Sequence, residues 1–183
     1  MSNLGIKEIK IPSNLKLDRV EDKLIIKGDF GQVDYEIDSR FNLEVTENSS
    51  LKFYPKKTLE ISEKNKVNAL WGTQYSLLKN SIKGISQGYK KTLELVGVGF
   101  RVSVVENKLL LKLGYSHEVL FEIPSNIVIQ CPSPDKISVF GICKQKVNEV
   151  VSLIQRLKKI DLYKGKGILL ENTKLRLKEG KKK

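Results

Sequence analysis

The chain has 183 residues, 40% of them hydrophobic and 30% charged, with a formal net charge of +12. That length suits one medium domain or two small ones, and the apolar content suffices for a core. No apolar run approaches the roughly 20 residues of a membrane-spanning helix. The start, MSNLGIKEIKIPSN, has neither the apolar stretch of a secretory signal nor the arginines of a transit peptide, so no membrane partner is expected.

Taken in chain order, KLIIKG (Lys23–Gly28) reads as a strand. VDYEI follows, with Val33, Tyr35 and Ile37 on one face. NLEV (Asn42–Val45) and SLKFYP, around Leu51, are two further strands. KVNALWGTQYSLLKNSI then predicts a helix with Val67, Leu70, Trp71, Leu78 and Ile82 on one broad apolar face. IKGISQGYKK, with Gly84 and Gly88, interrupts the pattern and marks a boundary.

The second half opens on extra strands. Leu93 and Leu95, then Phe100, Val102 and Val104, recur at period two. Asn107 supplies a turn, so residues 99–113 read as a hairpin. Gly97 and Gly99 mark a bulge or a close backbone approach within a sheet. After that the first half repeats itself. KLLLKLG (Lys108–Gly114) answers KLIIKG, and VLFEI, with Val119, Phe121 and Ile123 on one face, answers VDYEI. NIVIQ (Asn126–Gln130) answers NLEV, and KISVFG near Ile137 answers SLKFYP. KVNEVVSLIQRLKK ends this half as a helix with Val147, Val150, Val151, Ile154 and Leu157 on one stripe, and both helices open with KVN. The fold class expected is α+β: two tandem related domains, each of small antiparallel sheets packed with one main α-helix. The expected limits are 1–82 for the first domain and 83–170 for the second, with a basic tail over 171–183.

Familiar catalytic signatures fail on inspection. GVGF invites a dinucleotide fingerprint, but Val102 stands at the third glycine position and a strand follows instead of a helix. YKGKGI invites a phosphate loop, but Gly167 follows Lys166 and the segment comes after a helix. His117 is the only histidine, with no partnered nucleophile or carboxylate pattern, and reads as surface or interface. Cys131 and Cys143 form no CxxC and read as buried or semi-buried thiols in a reducing compartment. Trp71 lies on an apolar face and reads as core. No enzyme, metal or cofactor is expected.

Charge carries the functional signal. From Arg156 onward lie eleven of the 33 Lys and Arg but three of the 21 Asp and Glu, a net +8 out of +12. Such a basic end points to a polyanion. Gly165 and Gly167 break any amphipathic helix, which favours nucleic acid over a membrane surface. In YKGKGI the two glycines free backbone N–H groups to approach an anion. Lys164 and Lys166 supply cations, and Tyr163 offers a ring and a hydroxyl. The plainer alternative is a helix cap and turn with solvated lysines.

Several runs, in order, resemble one family. GYKKTLELVGVGFR (Gly88–Arg101), NKLLLKLGYSH (Asn107–His117), YKGKGI (Tyr163–Ile168), the start MSNLGIKEIKIP and the end KEGKKK are similar to the bacterial-type large-ribosomal-subunit protein L-six family. The resemblance covers nearly the whole length and is densest in the second half. It implies two related α+β domains, the second of which, with the tail, binds large-subunit rRNA near the sarcin–ricin loop, beside the landing site of translational GTPases. By position, Tyr163, Lys164, Gly165, Lys166 and Gly167 match the family's rRNA-contacting loop. Arg156, Lys158 and Lys159 end the helix before it. Lys174, Arg176 and Lys178 alternate after it on one side of a strand-like run, and Lys181, Lys182 and Lys183 close the basic tail. Neighbouring ribosomal proteins are the other expected partners, chiefly for the first half. An RNA-binding assembly module outside the mature ribosome is the alternative. Where the family usually has prolines before the loop, this chain has KKIDL. The Lys-, Ile- and Asn-rich composition and the lack of a presequence suit an organelle-encoded protein, in the mitochondrial matrix ahead of a plastid. A bacterial cytoplasm fits nearly as well.

Overall fold

The computed structural model describes residues 7–20, 23–46, 50–56 and 61–180. These residues form an α+β protein of small antiparallel sheets and two helices, divided into two units, Met1–Gly88 and Tyr89–Lys183.

In the first unit the strands are β1 (Ile9–Lys10), β2 (Lys16–Val20), β3 (Lys23–Gly28), β4 (Gly31–Glu36), β5 (Phe41–Thr46) and β6 (Ser50–Pro55), followed by helix α1 (Ile61–Gln87). They pair in the orders β2-β3-β4 and β1-β6-β5. Alternation decides which side chains enter the core: Leu24 and Ile26 from β3, Leu43 from β5, and Leu51 and Phe53 from β6 are buried. Val67, Trp71, Tyr75, Leu78, Ile82 and Ile85 lie three or four apart and make the buried stripe of α1. Tyr75 and Ile85 belong to that stripe although the sequence reading omitted them, whereas Leu70 is half-buried. Gly84 does not interrupt the helix: α1 continues past Ile82 to Gln87. Polar atoms that enter the core are satisfied. Trp71 Nε1 donates to Phe53 O at 2.6 Å, and Tyr35 Oη donates to Gln74 O at 3.1 Å and contacts Gln74 Oε1.

The second unit contains β7 (Tyr89–Val96), β8 (Arg101–Val105), β9 (Lys108–Lys112), β10 (Val119–Glu122), β11 (Ile127–Ser133), β12 (Lys136–Gly141), helix α2 (Lys144–Leu157) and β13 (Gly167–Leu170). Its sheets run β10-β9-β8 and β11-β12-β7-β13. Set beside the first unit, β8-β9-β10 repeats β2-β3-β4, and β7-β12-β11 repeats β1-β6-β5. The duplication read from sequence is thus a duplication of strand pairing. Val147, Val150, Val151 and Ile154 bury the inner stripe of α2, while Leu157 is half-buried at its end. Gly97 and Gly99 lie in the turn between β7 and β8, which the Phe100 N–H to Gly97 O bond of 3.2 Å spans. They mark a change from one sheet to another and not a bulge within one. Cys131 is half-buried, but Cys143 is exposed, and both are free thiols.

Among the described residues, strand β13 is the element without a counterpart in the first unit. Gly167↔Val96, Ile168↔Leu95, Leu169↔Glu94 and Leu170↔Leu93 pair it antiparallel to the outer edge of β7. Ile168 and Leu169 are buried there. Its far end is tied by Glu171 N–H to Thr92 O at 2.9 Å and by Lys136. The Lys136 ammonium is 2.9 Å from Glu94 and 3.5 Å from Glu171, and these carboxylates, Glu94 first, raise its pKa. The strand-like run expected at Lys174–Lys178 forms no strand, because the edge of β7 is already taken by the apolar residues of β13.

Gly167 opens β13 at φ +148, and a Cβ there would come within 2.8 Å of Ile160 Cα and 2.9 Å of Lys159 O. Both are backbone atoms, so the strand itself must shift. Gly167→Ala should lower stability by about 1–3 kcal/mol, read as a fall in thermal midpoint. Gly180→Ala, where a Cβ meets nothing within 4 Å, should be neutral. A second prediction concerns alkali. Burial, and then the Asp38 carboxylate, push the Tyr35 phenol from 10 up to about 12. Its folded pKa is raised, so its contribution to stability is intact below the unfolded value and is lost as pH climbs from 10 through about 12. The thermal midpoint of Tyr35→Phe should therefore fall less steeply over that window than that of the parent chain.

Candidate nucleic-acid interface

Helix α2 delivers the first basic residues. Arg156 lies exposed in its last turn, Lys158 is its C-cap, and Lys159 follows, exposed. Cations at this end also suit the negative pole of the helix. Arg156 and Lys159 border a shallow depression of about 350 Å³ with Ser152, Gln155, Ile160 and Ile168. Lys158 is half-buried, and its ammonium sits 4.0 Å from the centre of the Tyr115 ring and 6.0 Å from that of Phe100. Sequence reasoning missed these two aromatics. The signal that could have found them is that each follows a glycine at a strand end.

The loop between α2 and β13 is organised by Asp161. Its N–H donates to Lys166 O at 2.8 Å, and its carbonyl accepts from Gly165 N–H at 2.7 Å. Its carboxylate accepts from Tyr163 N–H at 2.9 Å. Across the loop base, Ile168 N–H donates to Lys158 O at 3.2 Å. The closed loop turns Tyr163, Lys164 and Lys166 outward, Tyr163 being 61% exposed. Gly165 and Gly167 are buried. The Gly165 N–H is already engaged within the loop, so the expectation that it is free to approach an anion is corrected. Gly165 serves by taking φ +69, which lets the loop close.

After β13 the chain reverses. Thr173 N–H donates to Leu170 O at 3.1 Å, and Lys178 N–H returns to Leu162 O at 3.0 Å. Lys174, Arg176 and Lys178 are exposed along this extended return, with Leu175 half-buried between them. The return brings the Lys178 backbone to the loop, so residues far apart in sequence share one surface. Lys181, Lys182 and Lys183 lie outside the described residues.

Among the described residues, Arg156, Lys158, Lys159, Lys164, Lys166, Lys174, Arg176 and Lys178 make no ion pair, whereas Lys108, Lys112 and Lys136 are paired with glutamates. Positive charge here is therefore not neutralised by those residues. Chemically the surface can neutralise phosphates and present an exposed phenol ring, and among the described residues it offers no nucleophile–base arrangement. Among the described residues no three of His, Cys, Asp or Glu gather as a metal site. His117 is exposed in the β9–β10 connection, near-parallel to the Tyr115 ring.

The model of the family described as Ribosomal protein L6 matches residues 96–170, from the end of β7 to the end of β13. "Large ribosomal subunit protein uL6m" of Reclinomonas americana is 42% identical over 185 residues, covering all of both chains. "Large ribosomal subunit protein uL6" of Thermosipho melanesiensis is 38% identical over 187 residues, and that of Zymomonas mobilis 37% over 183, again covering all of both chains. Identity of this order over the full length, together with the repeated α+β unit, shows that the chain belongs to the uL6 family of large-ribosomal-subunit proteins.

Proposed function

We propose that the chain is a structural, rRNA-binding constituent of a bacterial-type large ribosomal subunit, without catalysis of its own. The two units act as a brace. The end of α2, the Asp161–Lys166 loop and the extended return form the surface that faces large-subunit rRNA near the sarcin–ricin loop, beside the site where translational GTPases land. The tail residues Lys181–Lys183 extend it. The observation that carries this reading is that eight basic side chains, none paired with a carboxylate among the described residues, stand at the end of α2, on the loop and on the return, the segments that adjoin a strand anchored to a sheet. Phosphate neutralisation releases counterions, and the anchored loop loses little freedom on binding.

Among its described residues the first unit has no fourth strand on the β1-β6-β5 sheet and no such loop, which supports assigning it to neighbouring ribosomal proteins. An organelle, the mitochondrial matrix ahead of a plastid, is the compartment we favour over a bacterial cytoplasm. The Reclinomonas americana relative named uL6m, at 42% identity, and the Lys-, Ile- and Asn-rich composition support that choice.

Two measurements test the reading. In a sucrose gradient of native extract the tagged chain should migrate with the large subunit, with crosslinks from Tyr163–Lys183 to the sarcin–ricin region. Migration only with precursor particles would instead make it an assembly factor. In vitro, Lys164→Ala with Lys166→Ala should weaken binding to a large-subunit rRNA transcript. The slope of log K against log salt should flatten by about 0.7–0.9 for each phosphate that the variant no longer neutralises. An unchanged slope would remove the loop from the RNA-facing surface.

A further inference from the structure

Two motifs singled out in the sequence, GVGF (Gly97–Phe100) and LGYSH (Leu113–His117), have no part in the phosphate-facing surface. The fold brings both to the C-terminal end of α2. The β7–β8 turn carries Phe100, and the β9–β10 connection carries Tyr115 and His117. Lys158 lies against both rings, 4.0 Å from the centre of Tyr115 and 6.0 Å from that of Phe100. The Tyr115 hydroxyl donates to Leu157 O at 3.0 Å. The His117 ring centre is 6.1 Å from that of Tyr115, with the planes 17° apart.

The Tyr115 ring is thus held at its hydroxyl and over one face, yet the residue is 46% exposed, and His117 is exposed as well. An aromatic side chain held in place but left in solvent adds little to a core. Pre-set flat rings, exposed beside unneutralised cations, are what a base needs to stack on without an ordering cost. Bases within a duplex are already stacked on one another, so such rings select an unpaired nucleotide. The rim is basic. Arg101 opens β8 directly after Phe100 and is the cross-strand partner of Lys112. Lys112 is itself 2.9 Å from Glu118, the one carboxylate of this connection. Lys158 lies over the Tyr115 ring and Arg101 opens the strand after Phe100, cations suited to phosphates, which favours RNA over an apolar protein segment as the occupant.

We infer that Tyr115 and His117, backed by Lys158, form a stacking platform for one unpaired base of the RNA held by the adjacent α2 end and loop. The inference rests on the rRNA-binding reading above and adds a base-contacting element to it. Stacking differs from phosphate contact in one measurable way: it contributes affinity without releasing counterions.

The test uses the full chain and a large-subunit rRNA transcript, with affinity measured across a salt series and base reactivity probed chemically. Tyr115→Leu should weaken binding about 5- to 150-fold with the salt slope unchanged. It should also expose a base that the parent chain protects. Tyr115→Phe keeps the ring and should retain most of the affinity and the protection. His117→Leu should show a smaller loss at the same base. Thermal midpoints within a few degrees of the parent chain would show that the variants fold. If Lys164→Ala weakens binding while Tyr115→Leu leaves affinity and footprint intact, the platform is overturned and the rRNA-binding reading stands. If the parent chain fails to bind the transcript, both fall. If Tyr115→Leu binds the transcript normally but enters large subunits poorly, the surface belongs to a protein neighbour and the platform is overturned.

Discussion

Antiparallel pairing of Gly167–Leu170 with Leu93–Val96 fixes the basic end of the chain to a sheet. Without that ladder, a glycine-containing, lysine-rich segment would gain little from burial and would have no reason to hold one shape. Ile168 and Leu169 supply apolar burial, the backbone supplies the hydrogen bonds, and Lys136 ties the far end to two glutamates. Once β13 is seated, the loop before it and the return after it are both short spans between fixed points. Their lysines are then carried on a defined surface and not on a random coil.

Within that frame Asp161 takes the place expected of prolines. A proline stiffens a connection by fixing its own φ but removes a donor. Asp161 keeps its N–H, and uses N–H, carbonyl and carboxylate together to close the loop onto Lys166, Gly165 and Tyr163. Three hydrogen bonds at one residue supply order that the KKIDL sequence lacks in ring constraints. The carboxylate costs one negative charge in a positive region, but it is turned inward to a backbone N–H, while Lys164 and Lys166 point to solvent.

The repeated strands and both helices were legible because half-buried strands alternate and amphipathic helices recur at three and four, and two copies reinforced each other. Tyr75 and Ile85 escaped because a tyrosine among polar residues and an isoleucine beside Gly84 break the visible stripe, yet the helix continues and buries both. β13 escaped for a different reason. GILL is a short apolar run with no alternation, as befits a strand whose successive residues Ile168 and Leu169 are both buried, while the following Lys–Leu alternation imitated a strand better than the strand itself did. The basic residues of the surface were legible from charge alone. Tyr115 and Phe100 were not, because what brings them to Lys158 is the meeting of two connections with a helix end, and the glycine before each is the one trace of it along the chain.

The lateness of β13 in the chain bears on how the protein is made. β7 emerges during synthesis long before its outer partner exists, so the second unit spends that interval with an unpaired edge. Only a much later stretch closes the sheet, and it adjoins the segments that carry the uncompensated positive charge. Closing of the sheet and fixing of the basic loop before β13 are therefore a single event. A chain cut short before Gly167 would carry the lysines of the loop without the strand that holds them, and its β7 edge would stay open.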